Sequence, residues 1–129
     1  MRIGKVATAA GISTKALRFY ETAGLLPPPA RTSAGYRDYS NETLPRLDFI
    51  RRSRGAGLTL AEIREVLEIR DSGDAPCEHV QHLLGRRLAD LDRQIADLLE
   101  LRATVAGLHA GTAAADPETC DPATVCRYL

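Results

Sequence analysis

A run of apolar residues with heptad spacing constrains the fold of this chain more than any other feature. Between positions 84 and 105, apolar side chains recur at steps of four and three residues, interrupted once by Arg102. The members are Leu84, Leu88, Leu91, Ile95, Leu98 and Val105. This spacing predicts a long helix over residues 78–109 with a single apolar face. Little sequence follows that could cover that face, so we expect a homodimer in which the helix pairs with its copy as a coiled coil. Packing of the helix on its own domain is the alternative.

The charge of the chain is distributed unevenly, although its 129 residues carry no net charge. Residues 1–54 hold ten Lys and Arg against four Asp and Glu, whereas residues 55–129 hold seven against thirteen. A basic first half is expected to meet a polyanion such as nucleic acid. No apolar run approaches about 18 residues and the N-terminus lacks a signal-peptide core, so we expect a cytoplasmic protein with no membrane partner.

The first 24 residues predict two short helices around a tight turn. The first helix is expected to end at Gly11, and Ser13 or Thr14 to cap the second. This order is typical of a helix-turn-helix motif, whose second helix enters the DNA major groove. A generic helical hairpin is the other interpretation. The polar residues that would face DNA at the start of the second helix are Ser13, Thr14, Lys15 and Arg18.

The next segment predicts a two-stranded ribbon. Three prolines at 27–29 exclude a helix, and Gly35 provides a turn between two short extended arms. The arms carry Arg31, Tyr36 and Arg37, whose side chains suit hydrogen bonds to phosphate. By itself the segment is also compatible with a solvated loop. After a helix-turn-helix motif, it is typical of a wing.

Two more helices are expected between the ribbon and the long helix. Ser40 or Asn41 is predicted to cap the third, and Thr59 with Glu62 forms a capping-box pattern that opens the fourth. Residues 71–77 have the composition of a linker.

Three cysteines lie around the long helix: Cys77 before it and the pair Cys120 and Cys126 after it. An odd number of thiols in a cytoplasmic chain favours metal ligands or sensors over a disulfide framework. In an antiparallel dimer the start of one long helix lies beside the end of the other. Cys77 of one subunit could then meet the partner subunit's Cys120 and Cys126. Oxidation of this pair to a disulfide, as in a thiol redox sensor, is the competing hypothesis. The further possible metal donors are His79, His82 and His109.

The predicted fold class is mainly α. A winged helix-turn-helix DNA-binding domain spans residues 1–70, and the linker at 71–77 acts as a hinge. The dimerisation coiled-coil helix occupies residues 78–109, and a short cysteine-containing metal loop occupies residues 110–129. The sequence has no Ser-His-Asp order, no Gly-rich phosphate loop and no His-Glu-x-x-His, so we expect no enzyme activity.

Several motifs in order resemble the MerR family of metal-responsive transcription regulators, most closely the branch that senses copper, zinc, mercury, cadmium and lead. They are Ile3-Gly4-Lys5-Val6-Ala7, Thr14-Lys15-Ala16-Leu17-Arg18-Phe19-Tyr20-Glu21, Gly24-Leu25-Leu26-Pro27, Gly35-Tyr36-Arg37-Asp38-Tyr39 and the segment from Ile50 to Leu58. The long helix and the cysteine-bearing tail extend the resemblance to nearly the whole chain.

The resemblance implies a mechanism on the bacterial nucleoid. A dimer of this family binds a palindromic promoter, and metal binding makes it kink and underwind the DNA so that RNA polymerase engages both promoter elements. The resemblance places Lys15, Arg18 and Tyr20 on the recognition helix. It also implies that Arg31, Tyr36 and Arg37 hold the wing to phosphates and that Arg54 lies at the hinge.

The resemblance also bears on the effector. A cysteine at position 77 is typical of sensors of divalent ions, so Zn(II), Cd(II), Hg(II) or Pb(II) is expected rather than Cu(I), which remains the alternative. The tail departs from the family pattern, because the first loop cysteine would fall near Thr112. Three thiolates suit Hg(II) or Pb(II), whereas Zn(II) prefers a fourth ligand. The candidates for that ligand are His79, His82, His109 and Asp121.

Overall fold

The computed structural model of the protein describes residues 1–113 and 116–129. These residues form two compact units, Met1–Arg87 and Leu88–Leu129. The elements in chain order are α1 (Ile3–Ala10), α2 (Thr14–Thr22), β1 (Ala30–Arg31), β2 (Arg37–Asp38), α3 (Thr43–Gly55), α4 (Leu60–Asp71), α5 (Cys77–Ala113) and a 3-10 turn at Pro117–Thr119. The fold class is therefore mainly α, as the sequence predicts.

The first two helices have the signals that the sequence predicts. Gly11 ends α1 in a left-handed conformation, with a φ of 69°, and its N–H bonds to carbonyls of the last helical turn. The Ser13 hydroxyl accepts a hydrogen bond from the N–H of Ala16 at 3.0 Å and so caps α2. The glycine turn and the cap together set where α2 begins.

The ribbon that follows is antiparallel, with Ala30 opposite Asp38 and Arg31 opposite Arg37. Its turn contains Gly35, which has a φ of 84°. This conformation suits glycine, because a Cβ atom would clash with the backbone there. The two short strands place a wing between α2 and α3.

The start of α3 differs from the expectation. The predicted cap at Ser40 or Asn41 is wrong: the helix is preceded by Glu42, which makes no side-chain capping bond. Instead, the Ser40 carbonyl accepts from the N–H of Thr43 at 3.1 Å, so a backbone turn leads into the helix. The capping box of α4 is confirmed, since Thr59 and Glu62 bond to each other's backbone N–H. The bond from Thr59 N–H holds the pKa of the Glu62 carboxyl below its ordinary value.

The core of the first unit is built by all of its helices. One of its fully buried side chains comes from α5: Leu83 is only 2% exposed. Its neighbour Leu84 is 45% exposed. The start of the long helix thus belongs to the same compact body as the helix-turn-helix motif. The largest buried side chains are Val6, Leu17, Leu25, Ile50, Ile63, Val66 and Leu83.

In the second unit, α5 presents its apolar stripe to solvent. Ile95 is 55% and Leu98 65% exposed, which is unusual for large apolar side chains that repeat along one face. The helix extends beyond the predicted range of 78–109 at both ends, from Cys77 to Ala113. Within the described residues, no helix combines the length and hydropathy that crossing a bilayer requires.

Candidate nucleic-acid interface and cysteine loop

The start of α2 presents polar side chains outward. Thr14, Lys15 and Arg18 are exposed, whereas Tyr20 is half-buried and packs against the core. Their exposure follows from the pattern of α2, in which Leu17 is fully buried. The first turn of α2 is therefore available for contacts with a ligand, whereas Tyr20 packs partly against the core of the domain.

The wing is tied to α2 through Glu21. The Tyr39 hydroxyl, just after β2, donates a short hydrogen bond to the Glu21 carboxylate, and Arg37 Nε lies 3.7 Å from Glu21 Oε2. Burial and the hydrogen bond to Glu21 raise the pKa of Tyr39 to about 12, so this hydroxyl keeps its proton at neutral pH. These contacts fix the position of the ribbon against the second helix.

A concave pocket with a volume of about 270 Å³ lies between α2 and the wing. We call it the arginine concavity. Four guanidinium groups line it, from both elements and from the segment before α1. Its residues are Arg2, Ile3, Arg18, Arg31, Gly35, Tyr36 and Arg37.

Side-chain contacts orient two of these arginines. Arg31 Nη1 donates to the Gly35 carbonyl at 2.9 Å across the turn. The guanidinium carbon of Arg2 lies 4.2 Å from the centre of the Tyr36 ring, which is a cation–π contact. Arranged guanidinium groups beside an exposed tyrosine are suited to bind the phosphate backbone of a nucleic acid.

The structure brings four of the predicted nucleic-acid ligands together with one arginine that was not predicted. Arg18, Arg31, Tyr36 and Arg37 all line the arginine concavity. Sequence reasoning missed Arg2, which precedes the first helix and belongs to no motif. The only signal that could have found it is its part in the positive charge of residues 1–54.

The connection between α3 and α4 contacts the start of α5 through a residue that the sequence did not indicate. Arg87 Nε donates to the Ala56 carbonyl at 3.2 Å. Arg54, predicted for the hinge, is exposed in the last turn of α3, and its carbonyl accepts from Gly57 N–H at 2.9 Å. A role for Arg54 as a hinge stays a prediction.

The thiol of Cys77 is exposed at the first residue of α5. Two residues later, His79 Nε2 lies 3.2 Å from Glu65 Oε2 on α4, so this histidine has a carboxylate partner. His82 and His109 are exposed on α5. Each of these histidines is accessible to at least some degree.

The other two thiols lie in the second unit, in residues 116–129, which we call the cysteine loop. Cys120 is half-buried, Cys126 is exposed, and both are free. One carboxylate oxygen of Asp121 accepts from Ala123 N–H at 2.8 Å. At the position where the family pattern has its first loop cysteine, the Thr112 hydroxyl donates to the His109 carbonyl at 2.6 Å.

The chemistry of these thiols fits a soft metal ion. In the described residues, no three His, Cys, Asp or Glu side chains come together in a group that could hold a metal. Each cysteine and histidine predicted as a donor is at least partly exposed.

Comparison with known proteins identifies two family matches. The family described as MerR HTH family regulatory protein matches residues 1–69. The family described as MerR, DNA binding, matches residues 44–108, which include the predicted seam of α5.

Three individual proteins illustrate the similarity. The mercuric resistance operon regulatory protein of Bacillus cereus is 40% identical over 97 residues, covering 75% of this chain and 74% of that protein. The lead(II) complex of the transcription regulator PbrR691 from Ralstonia metallidurans CH34 superposes with a TM-score of 0.79 at 36% identity, covering 93% of this chain and 94% of the other. HiNmlR, a MerR family regulator lacking the sensor domain and bound to promoter DNA, has a TM-score of 0.57 at 28% identity, with 88% and 92% covered. These relatives are regulators of transcription rather than enzymes, as expected from the sequence.

Proposed function

The chain belongs to the MerR family of helix-turn-helix regulatory proteins, and from this premise we propose that it is a homodimeric, metal-responsive activator of transcription. The proposed effector is a divalent thiophilic ion: Zn(II), Cd(II), Hg(II) or Pb(II). The proposed target is a palindromic promoter of metal-resistance or efflux genes. The single observation that carries the DNA-binding part is the arginine concavity between α2 and the wing.

DNA binding would use two kinds of contact. The exposed Thr14, Lys15 and Arg18 at the start of α2 suit contacts with base edges and nearby phosphates in a major groove. The guanidinium groups of the arginine concavity suit the adjacent phosphates. Because Glu21 ties the wing to α2, both sets of contacts would hold the same register on DNA.

The exposed seam of α5 supports the homodimer. A single helix that leaves Leu88, Ile95 and Leu98 more than half exposed gains stability when a partner covers them. A second copy offers the same seam, so the two helices can bury their apolar faces against each other. A coiled-coil pair would also double the number of DNA-binding domains, as a palindromic site requires.

The cysteines support a metal effector shared between subunits. We propose that Cys77 of one subunit and the partner subunit's Cys120 and Cys126 hold the ion as thiolates. A soft divalent ion supplies strong metal–sulfur bonds and neutralises part of the thiolate charge. The relatives named for mercury and lead favour a thiophilic ion of this class.

Control of transcription would follow from a difference in energy between two DNA shapes. Bending or untwisting a promoter costs from a few to about 10 kcal/mol. An effector can drive this distortion only if it binds the distorting dimer more tightly than the resting one. The shared metal site meets this condition in principle, because both subunits must be correctly placed to contribute their thiols.

Metal titration and transcription with the reduced full-length protein test the proposal. The operator is first selected from a library of random DNA duplexes, and a promoter carrying it is transcribed in vitro with RNA polymerase. Zn(II), Cd(II), Hg(II), Pb(II) and Cu(I) are compared at matched free concentrations. We expect one ion per three thiolates, activation by at least one divalent ion, and loss of activation in Cys77→Ser with unchanged affinity for DNA.

Three results would contradict the proposal. A normal metal response in Cys77→Ser would remove this residue from the site. If no ion binds tightly but oxidation alters transcription, the thiols are a redox switch on the same DNA-binding scaffold. A response to Cu(I) alone would replace the divalent ion by a monovalent one.

A further inference from the structure

We propose that Arg127 is a positioning residue that closes the cysteine loop and holds Cys120 and Cys126 close together for a shared ligand. The inference rests on the proposed function for its ligand, a thiophilic ion. Its structural basis lies entirely within the second unit. Neither the sequence motifs nor the family matches, which end at residue 108, point to this arginine.

The guanidinium of Arg127 joins the two ends of the loop. Nη2 donates to the Asp116 carbonyl at 2.7 Å and to the Thr119 hydroxyl oxygen at 2.8 Å. These bonds connect residues that are eleven and eight positions apart in the chain. Cys120 immediately follows the segment that Arg127 holds, and Cys126 immediately precedes Arg127 itself. The same side chain therefore restrains both thiols.

Hydrogen bonds between residues that are close in sequence organise the individual turns of the loop. Asp116 Oδ1 accepts from Glu118 N–H at 3.0 Å, and the Thr119 hydroxyl donates to the Asp116 carbonyl at 2.7 Å. Asp121 Oδ1 accepts from Ala123 N–H at 2.8 Å in the segment between the cysteines. Each of these turns spans only a few residues. Among the hydrogen bonds described in the loop, those from Arg127 to Asp116 and Thr119 span the greatest sequence distance.

Arg127 carries a positive charge within the cysteine loop. The guanidinium also contacts the Tyr128 ring, with 5.3 Å between its carbon and the ring centre. A positive charge held in the same loop as two thiols is favourable for a site that binds its ligand through thiolates.

The test measures how strongly the loop brings its thiols together, without any metal. The full-length Cys77→Ser chain is equilibrated with mixtures of oxidised and reduced glutathione. Two protein thiols form one Cys120–Cys126 disulfide as one oxidised glutathione becomes two reduced molecules. Alkylation and mass spectrometry then give the ratio of disulfide to dithiol, from which the effective concentration of one thiol near the other is calculated.

Three variants in this background separate positioning from general effects. Arg127→Met keeps a long side chain but removes every donor, Arg127→Lys keeps the charge, and Arg93→Met alters an exposed arginine on α5 that pairs with Asp90. We expect Arg127→Met to lower the effective concentration about tenfold, the order expected for lost charge-assisted hydrogen bonds. Arg127→Lys should restore part of this loss, and Arg93→Met should change nothing.

The same substitutions in the chain that retains Cys77 are then titrated with Cd(II) and Hg(II). We expect Arg127→Met to weaken Cd(II) binding about tenfold and to alter the sulfur-to-mercury charge-transfer band, with DNA affinity and helical content unchanged. The proposal would be overturned if Arg127→Met left the effective concentration of the Cys120–Cys126 pair, measured against glutathione, within twofold of the parent value. If Arg127→Met lowers it but the parent binds neither ion, the positioning role stands and the metal-sensing function fails.

Discussion

Arg2 shows that the proposed nucleic-acid interface combines residues that are far apart in sequence. Its guanidinium stacks on Tyr36 and lines the same concavity as Arg18 of the second helix. Phosphate-binding arginines act additively in first approximation, since each neutralises one charge of the DNA and releases counterions. Arg2 is therefore expected to contribute to affinity in the same way as the predicted ligands.

Replacing Arg2 or Arg18 by alanine should weaken binding of the selected operator by about five- to tenfold each, and lower the salt slope of log K by about one. Fluorescence anisotropy at several salt concentrations measures both quantities. Arg51→Ala is the matched control, because Arg51 is exposed on α3 and pairs with Asp48. Equal losses in all three variants would mean that the concavity has no special role.

Arg46 carries a buried charge that stabilises the first unit. Its side chain is 9% exposed, donates to both carboxylate oxygens of Asp71 at 2.7 and 3.0 Å, and donates to the Leu25 carbonyl. The hydrogen bond and the charge of Arg46 hold the pKa of Asp71 below its ordinary value. A lowered carboxyl pKa stabilises the fold above the ordinary pKa, near 4, and this contribution is lost as the pH falls below it.

Asp71→Asn should accordingly reduce the free energy of unfolding by about 1–2 kcal/mol at pH 7, because a buried guanidinium loses its ionised partner. The deficit should shrink as the pH is lowered from about 4 towards 2, where the native carboxyl is itself protonated. Urea unfolding across this range measures it. A deficit that does not depend on pH would show that packing, rather than charge, explains the loss.

At the scale of elements, the connection between α3 and α4 is built around Gly57. This residue has a φ of 87°, and a Cβ placed there would lie 2.5 Å from Arg87 Nε on α5. Only glycine allows the turn and the approach of Arg87 together. The contact joins the DNA-binding elements to the start of the long helix.

Gly57→Ala is expected to cost about 1–2 kcal/mol from the left-handed backbone conformation, with a further loss if Arg87 must leave the Ala56 carbonyl. Gly55→Ala is the control, since nothing lies within 4 Å of a Cβ there. Denaturant unfolding at one protein concentration compares the two variants. If they are equally stable, the left-handed turn and the Arg87 contact contribute little to folding.

At the scale of the whole molecule, the exposed seam of α5 is the proposed dimer interface. Leu98→Asp places a charge in the proposed interface and should convert the dimer to a monomer in sedimentation velocity experiments, because burying an unpaired carboxylate is strongly unfavourable. Ala96→Asp adds the same charge to another face of the helix and should leave the dimer intact. A dimer that survives Leu98→Asp would place the interface elsewhere.

The sequence by itself determined the elements that depend on local signals. Gly11, Ser13 and the Thr59–Glu62 capping box set the ends of helices within a few residues, and the heptad steps determined α5. These features are readable because each involves neighbours in the chain. The prediction that Ser40 or Asn41 caps α3 was wrong, because a backbone turn leads into this helix and such a turn has no clear signature in the sequence.

Only the tertiary structure decided which residues meet across the chain. The heptad steps assigned Leu84 to the seam and said nothing of its neighbour Leu83, whereas packing buries Leu83 in the core and leaves Leu84 exposed. In the same way, Arg46 becomes buried and Arg127 closes the cysteine loop. Their partners lie many residues away, and no local pattern encodes such pairs. Charge and periodicity thus determined what kind of fold this sequence forms, whereas packing and long-range hydrogen bonds decided how its individual sites are assembled.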